Sequence, residues 1–189
     1  MTSDADDEPG LARIGAAVAA PPDSARPRDC GHFEIRIDRN GSWFYRGTPI
    51  NRMSLARLFS TVLQRDAAGA YWLITPAECG RITVEDAPFL AVELERRGGA
   101  RDQVLIFHTN LGDSVSLDAA HPLRIEIEPS NRGPRPYILV RNGLEARVVR
   151  PVFYELVELA GEERVGQTTR FGVWSKGTFF PLDQATDGG

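Results

Sequence analysis

The residues best suited to bind a charged ligand are arginines in the C-terminal third of the chain. Within 19 residues that contain one acid, Glu145, the sequence places Arg132, Arg135, Arg141, Arg147 and Arg150. A guanidinium group presents paired N–H donors that match a phosphate or a carboxylate. The spacing predicts an anion site formed by Arg141, Arg147 and Arg150, with Arg52 from an earlier helix as a further contact. The alternative is a solvated loop and strand edge, where arginines discourage pairing with another chain.

Aromatic side chains near these arginines could stack on a flat ligand. Such stacking contributes about 1–3 kcal/mol per base. We predict this role for Tyr154 and for Trp174-Ser175, whose neighbours are less apolar than those of the other large aromatic residues. The remaining aromatic residues are expected in the core. Asn110 could contact a polar group of the ligand, although Thr109-Asn110-Leu-Gly-Asp is also typical of a turn.

One histidine has an acid at a spacing that would allow acid–base chemistry. His121 follows Asp118 by three residues, and a histidine oriented by a carboxylate can act as a general base. The pair could equally hold a strand corner. The chain contains no Gly-x-Ser-x-Gly motif, phosphate-binding loop or dinucleotide-binding motif. We therefore predict a protein without catalytic residues, metal or cofactor, with His121 and Asp118 as the candidates if a reaction is catalysed.

The composition favours a globular protein that does not bind nucleic acid in general. The chain has 189 residues and a formal net charge of -4, which argues against a broad basic surface. No apolar run approaches the roughly 20 residues that cross a bilayer. Acids precede the short apolar stretch Leu11–Ala20, where a signal peptide would carry positive charge. We expect a cytoplasmic protein whose two cysteines, Cys30 and Cys79, are free thiols.

A repeated pattern predicts the elements that position these residues. The alternating stretch 33–45 contains Arg39-Asn40-Gly41, and 137–149 contains Arg141-Asn142-Gly143. Each Asn-Gly dipeptide predicts a type I′ turn between two strands. An amphipathic helix pattern and a further hairpin pattern follow in both copies.

The two helix patterns carry different start signals. Asn51 or Ser54 would cap the first helix, and Pro151 suits the first turn of the second. The predicted buried face of the second helix contains Phe153, Leu156, Val157 and Ala160.

The predicted fold class is α+β, with two similar hairpin–helix–hairpin lobes joined by antiparallel strands. Residues 1–28 would form a mobile tail, 29–88 the first lobe, 89–121 the central strands and 122–189 the second lobe. Two similar lobes meet at a seam, and we expect a ligand there.

Several stretches resemble the proteobacterial domain-of-unknown-function family 1285. They include Gly41-Ser-Trp-Phe-Tyr-Arg-Gly-Thr-Pro-Ile, Tyr71-Trp-Leu-Ile-Thr-Pro-Ala-Glu, Val140-Arg-Asn-Gly-Leu-Glu-Ala-Arg and Gly172-Val-Trp-Ser, and the match runs from about Cys30 to Leu182. The resemblance implies a duplicated core, a C-terminal lobe loosely like a pleckstrin-homology domain, a nucleotide-like ligand between the halves and a role in signalling. It implies no reaction. The family pattern has a basic residue soon after Glu78, where this chain has Cys79-Gly80.

Together these observations favour a non-catalytic, cytoplasmic ligand-binding or regulatory protein. Its ligand would be anionic, nucleotide-like and held between the lobes. Two alternatives stay open: an enzyme acting on a nucleotide or phosphate ester through His121 and Asp118, and a module that binds a protein partner. The sequence leaves the oligomeric state open.

Overall fold

The computed structural model describes residues 30–129 and 133–183. The predicted tail over 1–28, its short helix and Arg132 lie outside these residues. The chain divides into two compact units between Glu85 and Asp86. None of the helices in the described part of the chain is long and apolar enough to cross a membrane.

The first unit contains one sheet and one helix. Its elements are β1 (Gly31–Ile37), β2 (Trp43–Tyr45), β3 (Thr48–Pro49), α1 (Met53–Thr61), β4 (Leu63–Arg65), β5 (Tyr71–Ile74) and β6 (Cys79–Val84). The strand order is β3-β2-β1-β6-β5-β4. The central pair β1 and β6 is parallel, and the other neighbours are antiparallel.

The alternation in β1 buries Ile35 and Ile37, as the period of two predicts. In α1, Phe59 is buried, and its ring lies 6.1 Å from that of Trp43 on β2. The predicted helix cap was wrong: Arg52 occupies the N-cap and its side chain makes no capping hydrogen bond. The apolar stripe therefore fixed the helix without a local start signal.

The two Asn-Gly turns differ. Asn142 and Gly143 both have positive φ, at 46° and 74°, as the predicted type I′ turn requires. In the first copy only Gly41 has positive φ. There the Asp38 carboxylate accepts hydrogen bonds from the backbone N–H groups of Asn40 and Ser42. The type I′ prediction is wrong for this turn, because an aspartate two residues earlier satisfies the backbone in another conformation.

The prediction of free thiols is also wrong. Cys30 and Cys79 form a disulfide whose Cα atoms lie 4.9 Å apart. The bond joins the starts of the parallel strands β1 and β6, beside the paired residues Gly31 and Gly80. Cysteines 49 positions apart give no local signal of pairing. Disulfides are rare in cytoplasmic proteins, so the bond is unusual for the predicted location, which stays a prediction.

The second unit contains two sheets and one α-helix. Its elements are β7 (Phe89–Arg97), β8 (Val104–Thr109), β9 (Ser114–Ser116), β10 (Leu123–Ile127), β11 (Pro134–Arg141), β12 (Leu144–Val148), α2 (Arg150–Glu158), β13 (Gly161–Val165), β14 (Thr168–Ser175) and β15 (Thr178–Pro181). A 3₁₀ turn, Ala100–Asp102, lies between β7 and β8. The larger sheet has the order β10-β11-β12-β7-β8-β9, and β13-β14-β15 form a second sheet.

The described residues therefore form a mostly β protein with few helices, and the repeated sheets are consistent with two lobes. Each lobe contains a hairpin, a nine-residue helix and three strands. Their pairing differs: β6 joins the sheet of the first hairpin, whereas β13–β15 stand as their own sheet. Pro151 lies in the first turn of α2 as predicted, and α2 buries Leu156 together with Val152, which the pattern missed.

Candidate functional site

Three arginines of the cluster, Arg135, Arg141 and Arg147, have acidic partners. The Asp86 carboxylate, 7% exposed, accepts hydrogen bonds from Arg135 Nη2 and from the Tyr137 hydroxyl, both at 2.7 Å. Arg147 Nε lies 3.1 Å from the other carboxylate oxygen. Burial, together with the hydrogen bond to Asp86, raises the pKa of Tyr137 above its usual value. Asp86 therefore compensates two of the arginines from within the second unit.

The other predicted arginines divide between paired and exposed positions. Arg141 forms an ion pair with Asp113, and its guanidinium carbon lies 4.9 Å from the centre of the Phe89 ring. Arg52 and Arg150 are exposed at the starts of α1 and α2. Glu145, the single acid of the cluster, binds Arg124 through both carboxylate oxygens. The cluster is thus largely neutralised, and ligand binding by these residues stays a prediction.

The predicted acid–base pair does not form between side chains. One Asp118 oxygen accepts the backbone N–H groups of Ala120 and His121, and the other accepts Lys176 Nζ at 2.7 Å. His121 Nδ1 lies 3.0 Å from the carbonyl oxygen of Leu139. Because a carbonyl oxygen only accepts, Nδ1 donates there. The pair holds a strand corner, which was the alternative interpretation, and the carboxylate does not orient the imidazole ring.

Two further predicted contacts hold the backbone in place. Asn110 accepts a hydrogen bond from the Leu90 N–H through its side chain and donates its own N–H to the Leu90 carbonyl. The Ser175 side chain is fully buried, and its hydroxyl accepts the N–H of Leu105. Tyr154, by contrast, is 61% exposed on α2.

Trp174 lines a cavity of about 380 Å³ within the second unit. Three segments form its walls: the end of β7 with the turn after it, the end of α2 with the start of β13, and the middle of β14. We call it the Trp174 cavity; its polar lining side chains are Arg96, Arg101, Gln103, Glu158 and Glu162. This volume is in the range of small-molecule sites.

Hydrogen bonds fix the turn that carries Arg101 against β14 and β15. The Gln103 side-chain amide donates to the Trp174 carbonyl at 2.8 Å. The carbonyls of Gln103 and Arg101 accept the N–H groups of Lys176 and Gly177. These three hydrogen bonds would have to break before the turn could move, so the wall is held in one position.

The Arg101 guanidinium has two contacts beside the cavity. Its carbon lies 4.6 Å from the centre of the Trp174 ring, and Nη2 donates to Glu163 at 2.8 Å. A guanidinium carries five N–H donors, so others remain for a ligand. On the same wall, Arg96 is exposed and has no acidic partner among residues 30–129 and 133–183.

A glycine shapes the floor of the cavity. At Gly172, a Cβ atom would lie 2.3 Å from the Phe180 carbonyl oxygen and 2.7 Å from the Phe179 ring. No other residue fits there without displacing β15. The Phe179 ring, packed over this glycine, also contacts Trp174, with ring centres 5.5 Å apart.

Of this site, sequence reasoning found Trp174 and missed Arg96, Arg101 and Gln103. These three residues lie around the Gly98-Gly99 turn, about 30 residues before the arginine cluster. A second polar group was also missed: His108 lies 2.7 Å from the Ser114 hydroxyl and 3.3 Å from Glu95. Those side chains form a row across β7, β8 and β9.

The fold and the site describe a two-unit, mostly β protein with a polar, aromatic-lined cavity in its second unit. The family model of the DUF1285 N-terminal domain, a domain of unknown function, matches residues 20–87. The family model of the DUF1285 C-terminal domain matches residues 88–182. The chain therefore belongs to the DUF1285 family, as the sequence resemblance indicated.

Two solved structures are similar to this chain. A DUF1285 family protein from Silicibacter pomeroyi DSS-3 is 40% identical, with a TM-score of 0.81 over 95% of this chain and 97% of that one. A DUF1285 family protein from Shewanella baltica OS155 is 28% identical, with a TM-score of 0.54 over 67% of this chain and 91% of that one. No curated protein matches.

Proposed function

We propose that this protein is a non-catalytic ligand-binding protein whose ligand occupies the Trp174 cavity. The ligand has a flat, partly apolar portion and at least one anionic group. The observation that carries the proposal is the placement of a partly buried indole beside two guanidinium groups in one cavity. Flat groups stack on such rings, and guanidinium donors bind oxyanions.

The charge pairing of three arginines in the cluster favours this cavity as the anion site. Arg135, Arg141 and Arg147 each have a carboxylate within contact. An anion binding at those arginines would compete with an acid already in place. Arg96 has no such competitor in the described part of the chain, so it can bind an anion without losing another ion pair.

A nucleotide-like ligand, a regulatory role in signalling and a cytoplasmic location complete the proposal. Family resemblance supports the first two, and the composition supports the third. The family resemblance also supports a likeness of the C-terminal lobe to a pleckstrin-homology domain, which we include in the proposal.

Calorimetric titration with two flat anions, adenosine monophosphate and N-acetyl-L-tryptophan, tests the proposal. We expect at least one to bind, and the dissociation constant to rise at least 10-fold in Arg96→Gln. Arg97→Gln is the matched control, because Arg97 is the neighbouring exposed arginine, pairs with Glu95 and does not line the cavity. A saturating probe at 100 times its dissociation constant should add about 2.7 kcal/mol to stability.

Two results would contradict the proposal. One is the absence of heat and of thermal stabilisation with both probes. The other is an equal loss of affinity in Arg96→Gln and Arg97→Gln, which would indicate nonspecific attraction to the surface.

A further inference from the structure

The Trp174 cavity has charges of both signs, and they lie on different elements. Arg96 and Arg101 come from the end of β7 and the turn that follows it. Glu158 and Glu162 come from the end of α2 and the start of β13. The lining is therefore balanced in charge, with two arginines and two glutamates.

We propose, as a refinement that rests on the proposed function, that the ligand is a zwitterion. Its oxyanion binds Arg96, and its ammonium group binds between Glu158 and Glu162. The flat portion lies against Trp174 and the floor at Gly172.

Two independent features favour binding of the ammonium group beside Glu158 and Glu162. Glu158 and Glu162 are exposed and have no basic partner among the described residues. They flank the C-terminus of α2, where Leu159 and Ala160 donate their N–H groups to the carbonyl oxygens of Leu156 and Val157. A helix C-terminus carries partial negative charge and attracts cations. Carboxylates and helix end thus act together on one side of the cavity.

The two arginines that line the cavity differ in how far their charges are compensated. Arg101 is already held by Glu163 and by the Trp174 ring, so its net charge is partly compensated. Arg96 is the lining cation without an acidic partner in the described part of the chain, and its guanidinium lies against Gly99, where an added Cβ would be 3.5 Å from Nη2. A single oxyanion matches one uncompensated guanidinium.

The balance disfavours ligands that carry several phosphate groups. A triphosphate would bring about four charges beside two carboxylates and a helix C-terminus, against one free guanidinium. A zwitterion adds one favourable contact at each side and introduces no net charge.

Three indole compounds separate the contributions of the two charges. L-Tryptophan carries both, N-acetyl-L-tryptophan lacks the cation, and tryptamine lacks the anion. We expect calorimetry to give L-tryptophan a dissociation constant at least 10-fold lower than that of either of the others.

Substitutions test which residues bind the ammonium group and which bind the carboxylate. Glu158→Gln and Glu162→Gln should each reduce the preference for L-tryptophan over its N-acetyl form at least threefold. Arg96→Gln should reduce the preference over tryptamine. Glu155→Gln is the control for the glutamates, because Glu155 is exposed on the same helix and does not line the cavity; it should leave both ratios unchanged.

The outcomes separate this inference from the proposed function. Equal binding of L-tryptophan and N-acetyl-L-tryptophan, with Arg96 still required, would overturn the zwitterion and leave the anion-binding function standing. Tighter binding of the N-acetyl form would do the same. Failure of all three compounds and of adenosine monophosphate to bind would overturn both.

Discussion

Asp86 pairs with two arginines of the cluster in which the sequence predicted an anion site. Its side chain is 7% exposed and contacts two arginines and a tyrosine hydroxyl. Taking a carboxylate out of water is unfavourable unless such partners compensate it. The three contacts therefore stabilise the first residue of the second unit against β11 and β12.

Removing this carboxylate should destabilise the protein measurably. Asp86→Ala leaves Arg135 and Arg147 without their shared acid, and we expect a loss of about 2–3 kcal/mol, below the full cost for buried pairs because both arginines are partly exposed. Urea unfolding measures it. Glu128→Ala, which removes a more exposed partner of Arg135, is the control and should cost less than about 1 kcal/mol. Equal losses in both variants would contradict the central position of Asp86.

A pH dependence follows from Asp118. The Lys176 ammonium donates to its carboxylate, and the backbone N–H groups of Ala120 and His121 add to this, so the pKa of Asp118 lies below its usual value. A carboxyl whose pKa is lowered by folding stabilises the protein above its unfolded pKa. That contribution is lost as the pH falls through the lowered pKa.

The loss of unfolding free energy caused by Lys176→Gln should therefore depend on pH. At pH 7 we expect it to cost less than about 1 kcal/mol, since both side chains are partly exposed. Below the lowered pKa of Asp118 the difference from the unmodified protein should vanish, because the carboxyl is then protonated in both proteins. Urea unfolding at both pH values measures this, and an NMR titration should show the Asp118 pKa raised in the variant. A constant difference across pH would refute the linkage.

Among the elements, the hairpin between β11 and β12 depends on its turn residues. Gly143 has a φ of 74° and no heavy atom within 4 Å of an added Cβ. Strain in the left-handed region is then the main consequence of a side chain there. By contrast, Gly161, at the start of β13, also has open space and no positive φ.

The pair offers a clean comparison of backbone strain. We expect Gly143→Ala to destabilise by about 1–2 kcal/mol. Gly161→Ala should be near neutral, because the added methyl group meets nothing and the backbone is allowed. Chemical denaturation of both variants tests this, and a loss in Gly161→Ala as large as that in Gly143→Ala would show that positive φ is not the cause.

At the scale of the whole molecule, the disulfide closes most of the first unit into one loop. Cys30 and Cys79 are 49 residues apart and join the two parallel strands at the centre of the sheet. A covalent link of this kind restricts the unfolded chain more than the folded one.

Replacing both cysteines should lower stability by about 2–4 kcal/mol. The double variant Cys30→Ser with Cys79→Ser is compared with the oxidised protein by urea unfolding. A reducing agent should shift the oxidised protein towards the variant and leave the variant unchanged. Titration of free thiols under denaturing conditions should find none before reduction and two after it; two free thiols before reduction would contradict the bond.

The sequence by itself determined the features that depend on neighbours along the chain. Pro151 and the apolar spacing placed α2, and Asn142-Gly143 placed a type I′ turn, because φ preferences and helical periodicity act within a few residues. The aromatic character of Trp174 was also visible. The type I′ prediction for Asn40-Gly41 was wrong for a local reason as well, because the Asp38 carboxylate accepts hydrogen bonds that a rule based on the dipeptide does not include.

Only the tertiary structure decided which charges meet. Asp86 pairs with arginines 49 and 61 positions away, Cys30 with Cys79, and the cavity is assembled from segments near 96–103, 158–162 and 172–174. Such contacts depend on strand order and register, and a count of arginines in a window cannot reveal the acid that folding brings to each. The free arginine that matters to the proposed function, Arg96, could be recognised only after every other pairing was known.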